Sequence, residues 1–141
     1  MPTEAEWEYA ARSPAEETEA GSRSDDSYRY SGSDLLDQVG WYAQNSGGET
    51  HEVGLLLPNA LGLYDMSGNV FEWCEDWLGN YTAADQKNPR GPAEGVYRVL
   101  RGGGWGYDPR YCRPTYRDYG RPDSRAHFLG FRLALSLQSV G

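Results

Sequence analysis

The chain has 141 residues, 21 acidic and 13 basic side chains, a formal charge of -8 and 13% aromatic residues. That length suits one domain, residues 1–141, around a single hydrophobic core. No apolar run reaches the roughly 18 residues a membrane helix needs, and the acidic start MPTEAEWEYAAR is unlike a signal peptide, so no direct membrane insertion is expected and any surface or secretory address would lie outside these residues.

In TEAEWEYAAR, Thr3 and Glu6 stand at capping-box spacing and Trp7, Ala10 and Ala11 follow at helical offsets, which predicts a helix over residues 4–12 with Trp7 facing inward. Residues 13–34 are Ser, Asp, Glu and Gly and read as loop, with SYRYSG as one short extended piece. DQVGWYAQNSGGETHEVG is polar and Gly-rich, and its Trp41 and Tyr42 would pin an irregular segment onto the core. LPNALGLYDMSGNVFEWCEDWL is the densest apolar stretch and reads as turn, short strand, tight turn and strand; residues 79–95 are again loop. VYRVLRGGGW and GFRLALSL alternate by twos as half-buried strands do, so two strands bracket residues 106–129. Within that bracket Arg110, Arg113, Arg117, Arg121 and Arg125 fall at helical spacing, but Pro109, Pro114, Gly120 and Pro122 forbid a continuous helix. What remains is a long ordered loop with at most one turn near residues 112–117, which is uncommon unless it serves a purpose. The fold class is α+β with short strands, few helices and much loop.

Charge divides the same way. Residues 1–97 hold 18 acids and 5 bases, whereas residues 98–141 hold 3 acids and 8 bases, all Arg, so the two parts attract. Such a split can mark a nucleic-acid face. Arg interleaved with turn residues and Tyr more often makes fixed hydrogen bonds to carbonyls and carboxylates, so nucleic acid is not the expected partner.

Signals for catalysis are weak. Cys74 and Cys112 match no zinc spacing and read as small buried side chains, with one disulfide between them left open. Cys112 with His127, or a Ser with His51, could make a nucleophile and base; Asp108, Asp118 and Asp123 could make a carboxylate set; neither has support beyond nearness in sequence. GGGWG lacks the Lys and following helix of a phosphate cradle. In YDMSGNVFEW, Asp65 and Glu72 flank a Gly-Asn turn, a hard-oxygen set suited to Ca²⁺ and equally a tight turn whose carboxylates cap amides.

PTEAEWEYAAR, PNALGLYDMSGNVFEWCEDW, RVLRGGGW and GFRL together resemble the formylglycine-generating-enzyme (sulfatase-modifying factor) family, whose fold is a variant of the C-type lectin fold. The resemblance implies an oxidase that converts a substrate cysteine to formylglycine with copper held by two loop cysteines; here Tyr107 stands where the first would fall and Cys112 is alone, so no catalytic residues are expected. It also implies a structural Ca²⁺ site of Asp65 and Glu72 side chains with Gly68 and Val70 carbonyls.

One branch of that family, the variable proteins of diversity-generating retroelements, resembles residues 98–135 still more closely. Randomised template adenines there never encode Lys, Glu, Gln, Met or Trp. These five types fill 22 of residues 1–105, so about six would be expected in residues 106–135, and none occurs. The resemblance implies a non-catalytic protein whose loop recognises a protein or glycan ligand. Arg113, Arg117, Arg125 and Arg132, with Trp105, Cys112, Asp123 and Phe131, would be fixed framework. Trp105 and the interleaved Gly106, Tyr107, Asp108, Tyr111, Tyr116, Asp118, Tyr119, Gly120, Arg121, Ser124, Ala126, His127 and Phe128 would form the ligand surface, an antibody-like mixture of Tyr, Ser, Gly and Asp.

Overall fold

The computed structural model describes residues 1–14 and 27–135. Helix α1 is Glu4–Arg12, as its cap dictates. Thr3 Oγ1 accepts from the Glu6 amide at 3.2 Å and Glu6 Oε2 accepts from the Thr3 amide at 2.8 Å, so two orphan donors are satisfied reciprocally. Ser13, left-handed at φ 47°, stops the helix while its amide donates to the Tyr9 carbonyl.

Four strands form one sheet in the order β3-β2-β1-β4: β1 Phe71–Trp77, β2 Arg98–Arg101, β3 Asp118–Gly120 and β4 Leu129–Gly130. β2 lies antiparallel to β1 and β3, and β4 runs parallel to β1. The register sets Glu72 beside Arg101 and Trp73 beside Leu100, so alternation gives the sheet an inner and an outer face. On the inner side Cys74 and Val99 join Trp7, Ala11 and Met66 in one buried cluster. A second cluster of Tyr30, Leu36, Val39, Tyr42 and Cys112 ties the irregular N-terminal segment to the loop that follows β2. Tyr42 pins that segment as expected, with Trp41 half-buried beside it.

Several expected strands are absent or shorter. SYRYSG forms a tight turn bridged by Tyr30 and Ser33. Before Gly68 there is only turn, because Asn59 Oδ1 takes the amides of Leu61 and Leu63 that a ladder would have used. β4 ends at Gly130, since its register matches only Phe71 and Glu72 of β1; Phe131–Leu135 continue outside any strand, and the rest of GFRLALSL lies outside the described residues. β3 was not expected inside the Pro-flanked loop. The turn expected near residues 112–117 is present, closed by the Tyr116 amide on the Arg113 carbonyl at 3.1 Å, and a 3₁₀ turn, Pro109–Cys112, precedes it.

The attraction between the acidic and basic parts is spent inside the fold. Arg101 is fully buried: its Nε donates to Glu4 Oε1 at 3.0 Å, Nη2 to Glu8 Oε1 at 2.9 Å, and Nη1 to the carbonyls of Pro114 and Tyr116. Arg117 adds a fork on Glu4, at 2.6 Å and 2.8 Å, and reaches the Gly79 carbonyl at 2.9 Å. Removing one partner of a buried pair strands the other charge. Arg101→Met is therefore expected to cost about 3–5 kcal/mol in urea unfolding, whereas Arg90→Ala, which breaks an exposed pair with Glu75, should cost less than about 1 kcal/mol.

Candidate functional site

The loop after β2 is irregular yet held at both ends by backbone. Gly102 and Gly103 have φ values of 100° and 75°, and a Cβ on Gly103 would lie 2.5 Å from Cys112 Sγ, so only glycine admits this crossing. The Gly68 amide donates to the Gly102 carbonyl at 2.6 Å, the Trp105 amide to the Asn69 carbonyl at 2.8 Å, and the Phe71 amide to the Phe128 carbonyl at 2.7 Å. Ser46 Oγ donates to the Trp105 carbonyl, the Ala43 amide to that of Tyr107, and the Trp105 indole to that of His127. The 65–72 turn thus grips the entry and the exit of the loop.

On that support four side chains far apart in sequence form one row. Phe128 and Tyr107 have ring centroids 5.5 Å apart, Tyr107 and Tyr111 5.5 Å, and Tyr111 and Tyr116 4.8 Å, all steeply inclined. Phe71 supports Tyr107 from the sheet at 4.9 Å. Edge-to-face packing suits the ring quadrupoles and fixes each ring. All four row members are half-buried, so each keeps a solvent-facing part. Burial raises the phenol pKa values of Tyr107 and Tyr116, and the nearby Asp118 carboxylate raises them further.

The remaining expected surface residues divide. Gly106, Asp108, Arg121, Ser124, Ala126 and His127 are exposed; Trp105, Asp118 and Gly120 are half-buried. Asp108 caps the Pro109–Cys112 turn through the Arg110 amide at 3.0 Å, and the Arg110 guanidinium sits 5.5 Å from the Tyr111 ring. Tyr119 is apart from the row, exposed on β3 against Tyr97.

Of the expected framework, Arg117, Arg132, Trp105 and Cys112 hold backbone or core. Arg113, Asp123, Arg125 and Phe131 are exposed and do not. The residue that was missed is Arg101. Its signal lay in the alternation of VYRVLR, which puts Arg101 on the same inward face as Val99, opposite the Glu4/Glu8 pair of α1.

The four expected Ca²⁺ ligands Asp65, Gly68, Val70 and Glu72 line one cavity of about 420 Å³, with Leu63, Tyr64, Phe131 and Arg132. Asp65, left-handed at φ 56°, accepts the Gly54 amide through Oδ2 at 2.9 Å, while its Oδ1 is buried without a hydrogen-bond partner. Glu72 is buried; Oε2 accepts the Trp7 indole at 2.9 Å and Oε1 accepts Arg132 Nε at 2.5 Å. Burial holds the Glu72 pKa up, although Arg132 and Trp7 pull it down. A buried acceptor without a donor costs free energy. Asp65 therefore fits a cation, with the second lone pair on each Glu72 oxygen as further donor.

The catalytic alternatives separate in space. Cys74 and Cys112 are free thiols in different core clusters. Cys112 is fully buried and its thiol is pushed up to about 12, chiefly by burial. His51 stacks on Trp41 at 3.8 Å with Nε2 held 2.6 Å from the Ser46 carbonyl, so that nitrogen is engaged by backbone and not by a serine hydroxyl. His127 is exposed and Cys112 buried.

A small α+β scaffold whose helix and turn clamp both ends of an aromatic loop defines a loop-bearing domain of the C-type-lectin-like class. Residues 1–137 match the sulfatase-modifying factor enzyme 1-like domain, and the chain belongs to that family. It is 41% identical to the solved structure of Treponema denticola variable protein 1, with a TM-score of 0.80 over 93% of this chain and 45% of that one. It is 38% identical to the formylglycine-generating enzyme of Streptomyces coelicolor, over 95% of this chain and 46% of the enzyme. Similarity to the serine/threonine-protein kinase pkn1 of Chlamydia pneumoniae is also 38%, over 97% of this chain and 21% of the kinase. The chain spans less than half the length of each of these relatives.

A thiol with a raised pKa stabilises the fold below its unfolded value near 8.5 and loses that contribution as pH rises toward the folded one. Native protein at pH 8 is therefore expected to resist thiol-specific reagents at Cys112, while urea-unfolded chain labels fully. Rapid native labelling would place a reactive thiol there.

Proposed function

We propose that this domain is a non-catalytic ligand-binding protein whose loop surface, within residues 98–135 and diversified by a retroelement, recognises a protein or glycan. The observation that carries the reading is the aromatic row: residues read from sequence as displayed, spread from Tyr107 to Phe128, come together as one half-buried patch on clamped backbone. Tyr gives large amphipathic contact area at low rotamer cost, and the clamps remove most of the loop's ordering cost before any ligand arrives. The missing Lys, Glu, Gln, Met and Trp in residues 106–135 support diversification, as does the likeness to a variable protein.

Sequencing the neighbouring DNA is expected to reveal a reverse transcriptase and a near-copy of the codons for residues 98–135 that differs at template adenines. An ordinary neighbourhood would leave a ligand-binding family member without a diversifying element. The oxidase reading follows from the family's enzymes, but two thiols are needed to hold copper, and Cys112 is buried with Cys74 in another cluster. Copper-dependent oxidation of a cysteine peptide that is lost in Cys112→Ser would overturn the binding reading.

We infer that the cavity at Asp65 and Glu72 takes Ca²⁺, with the Gly68 and Val70 carbonyls as further ligands. The ion would neutralise two buried carboxylates at the ends of the turn that grips the loop. A ligand bound only by the native state raises stability by mass action. Chelator should lower the melting temperature by several degrees, and Asp65→Asn should abolish that shift. An unchanged melting curve would leave both carboxylates as turn caps.

A further inference from the structure

The outer face of the sheet places an indole against the loop. Alternation along β1 turns Phe71, Trp73 and Trp77 to one face and the buried Glu72, Cys74 and Asp76 to the other; Phe71 is buried, whereas Trp73 and Trp77 remain half-exposed. Three ligand-surface positions border the face that carries Trp73. Asp118 lies two strands across in the same register row, beyond Leu100. Tyr107 rests on Phe71, two residues before Trp73 on the same face. A Cβ on Gly120 would fall 2.9 Å from Cη2 of Trp73, so the backbone at position 120 lies against the indole. Farther along the strand the Arg98 guanidinium stacks 3.5 Å over Trp77 and donates to the Glu75 carbonyl, which fixes that end of the face.

Resting on the display reading, we propose that the ligand-contact surface runs past the loop onto the sheet, with Trp73 as a fixed anchor for a protein partner that presents an apolar side chain. Continuity carries the inference, because the indole shares one face of β1 with the Phe71 that supports Tyr107 and lies directly against position 120 of the ligand surface. Residue chemistry agrees. Residues 106–135 contain no Trp, so Trp73, like Trp105 at the start of the loop, brings an indole to this surface from the scaffold. Trp, Tyr and Arg dominate the energetics of protein–protein contacts, and a ring already half-buried loses little freedom on binding. Gly120 adds a specificity rule: any larger residue there displaces the indole, so variation at position 120 is read through Trp73.

A phage-displayed random peptide library, panned on the protein, provides the probe. Selected peptides that lose binding to Tyr107→Ala are then titrated against Trp73→Phe and Gly120→Ala, with melting temperatures measured in parallel. We expect Trp73→Phe to weaken them by about tenfold or more while the melting temperature stays within a few degrees. In 5-fluorotryptophan protein the fluorine resonance that vanishes in Trp73→Phe should shift on peptide addition. Gly120→Ala should change affinity in the same peptides. If they bind Trp73→Phe within about twofold and that resonance stays still, the anchor is overturned and the display reading stands. Failure of Tyr107→Ala to weaken any selected peptide would overturn both readings. Stacking of free hexoses on Trp73 with no peptide recovered would assign the face to sugars and overturn the protein partner.

Discussion

Glu4 is the point on which the rest of the structure depends. Its carboxylate receives Arg101 from β2 and Nε and Nη2 of Arg117 from the loop, while its amide donates to Asp76 Oδ1 at 2.7 Å. One helical N-terminus thereby fixes the sheet and the loop together. A buried and a half-buried guanidinium around one carboxylate would repel without further acceptors, and these are supplied by Glu8, the Pro114 and Tyr116 carbonyls, and Gly79. Such an assembly is no economy of free energy, because desolvation offsets most of the Coulomb attraction. What it provides is direction. Apolar side chains could fill the same space, but they could not satisfy the carbonyls of an irregular backbone.

A second clamp repeats the logic at the other end. Glu72 binds the Trp7 indole of α1 and the Arg132 guanidinium beyond β4, and Arg132 also reaches the Tyr64 carbonyl at 2.9 Å. Between the clamps the 65–72 turn donates to or accepts from Gly102, Trp105 and Phe128. Close approach makes this possible: Gly68 has φ 89°, and a Cβ there would meet the Trp41 carbonyl at 2.5 Å. Asp65 and Glu72 thus bound a turn that is joined to the loop by three backbone bonds rather than by flexible side chains.

How much of this was legible depended on whether the signal was local. The α1 cap needed only Thr3 and Glu6, and its bounds came out as read. β2 needed only the alternation of VYRVLR. The resemblance marked Tyr107, Tyr111, Tyr116, Tyr119 and Phe128 together, but that Tyr119 stands apart and that the others run in the order Phe128, Tyr107, Tyr111, Tyr116 depends on a fold-back that no spacing reveals. The Arg framework was half right. Arg spacing cannot tell Arg117, which faces Glu4, from Arg113, which faces water, because both lie in irregular backbone without a period. β4 was overextended for a related reason: alternation predicts which residues can pair, whereas the partner's register decides how many do.

Half-burial of the row sets a rule for how such a surface tolerates change. A fully exposed residue can be replaced freely, but it arrives at a ligand with all its rotamer freedom still to lose. A fully buried one is ordered, but its replacement leaves a cavity or a clash. Tyr107, Tyr111, Tyr116 and Phe128 lie between these limits, since each packs an edge on its neighbour and keeps a face in water. Replacing one therefore alters its neighbours' rotamers as well as its own contact. The backbone beneath stays put, because Asn69, Phe71, Ser46 and Arg101 bond to its amides and carbonyls and not to the rings. Separation of the row's side chains from the hydrogen bonds that hold the backbone is what the proposed display of varied surfaces on one scaffold requires.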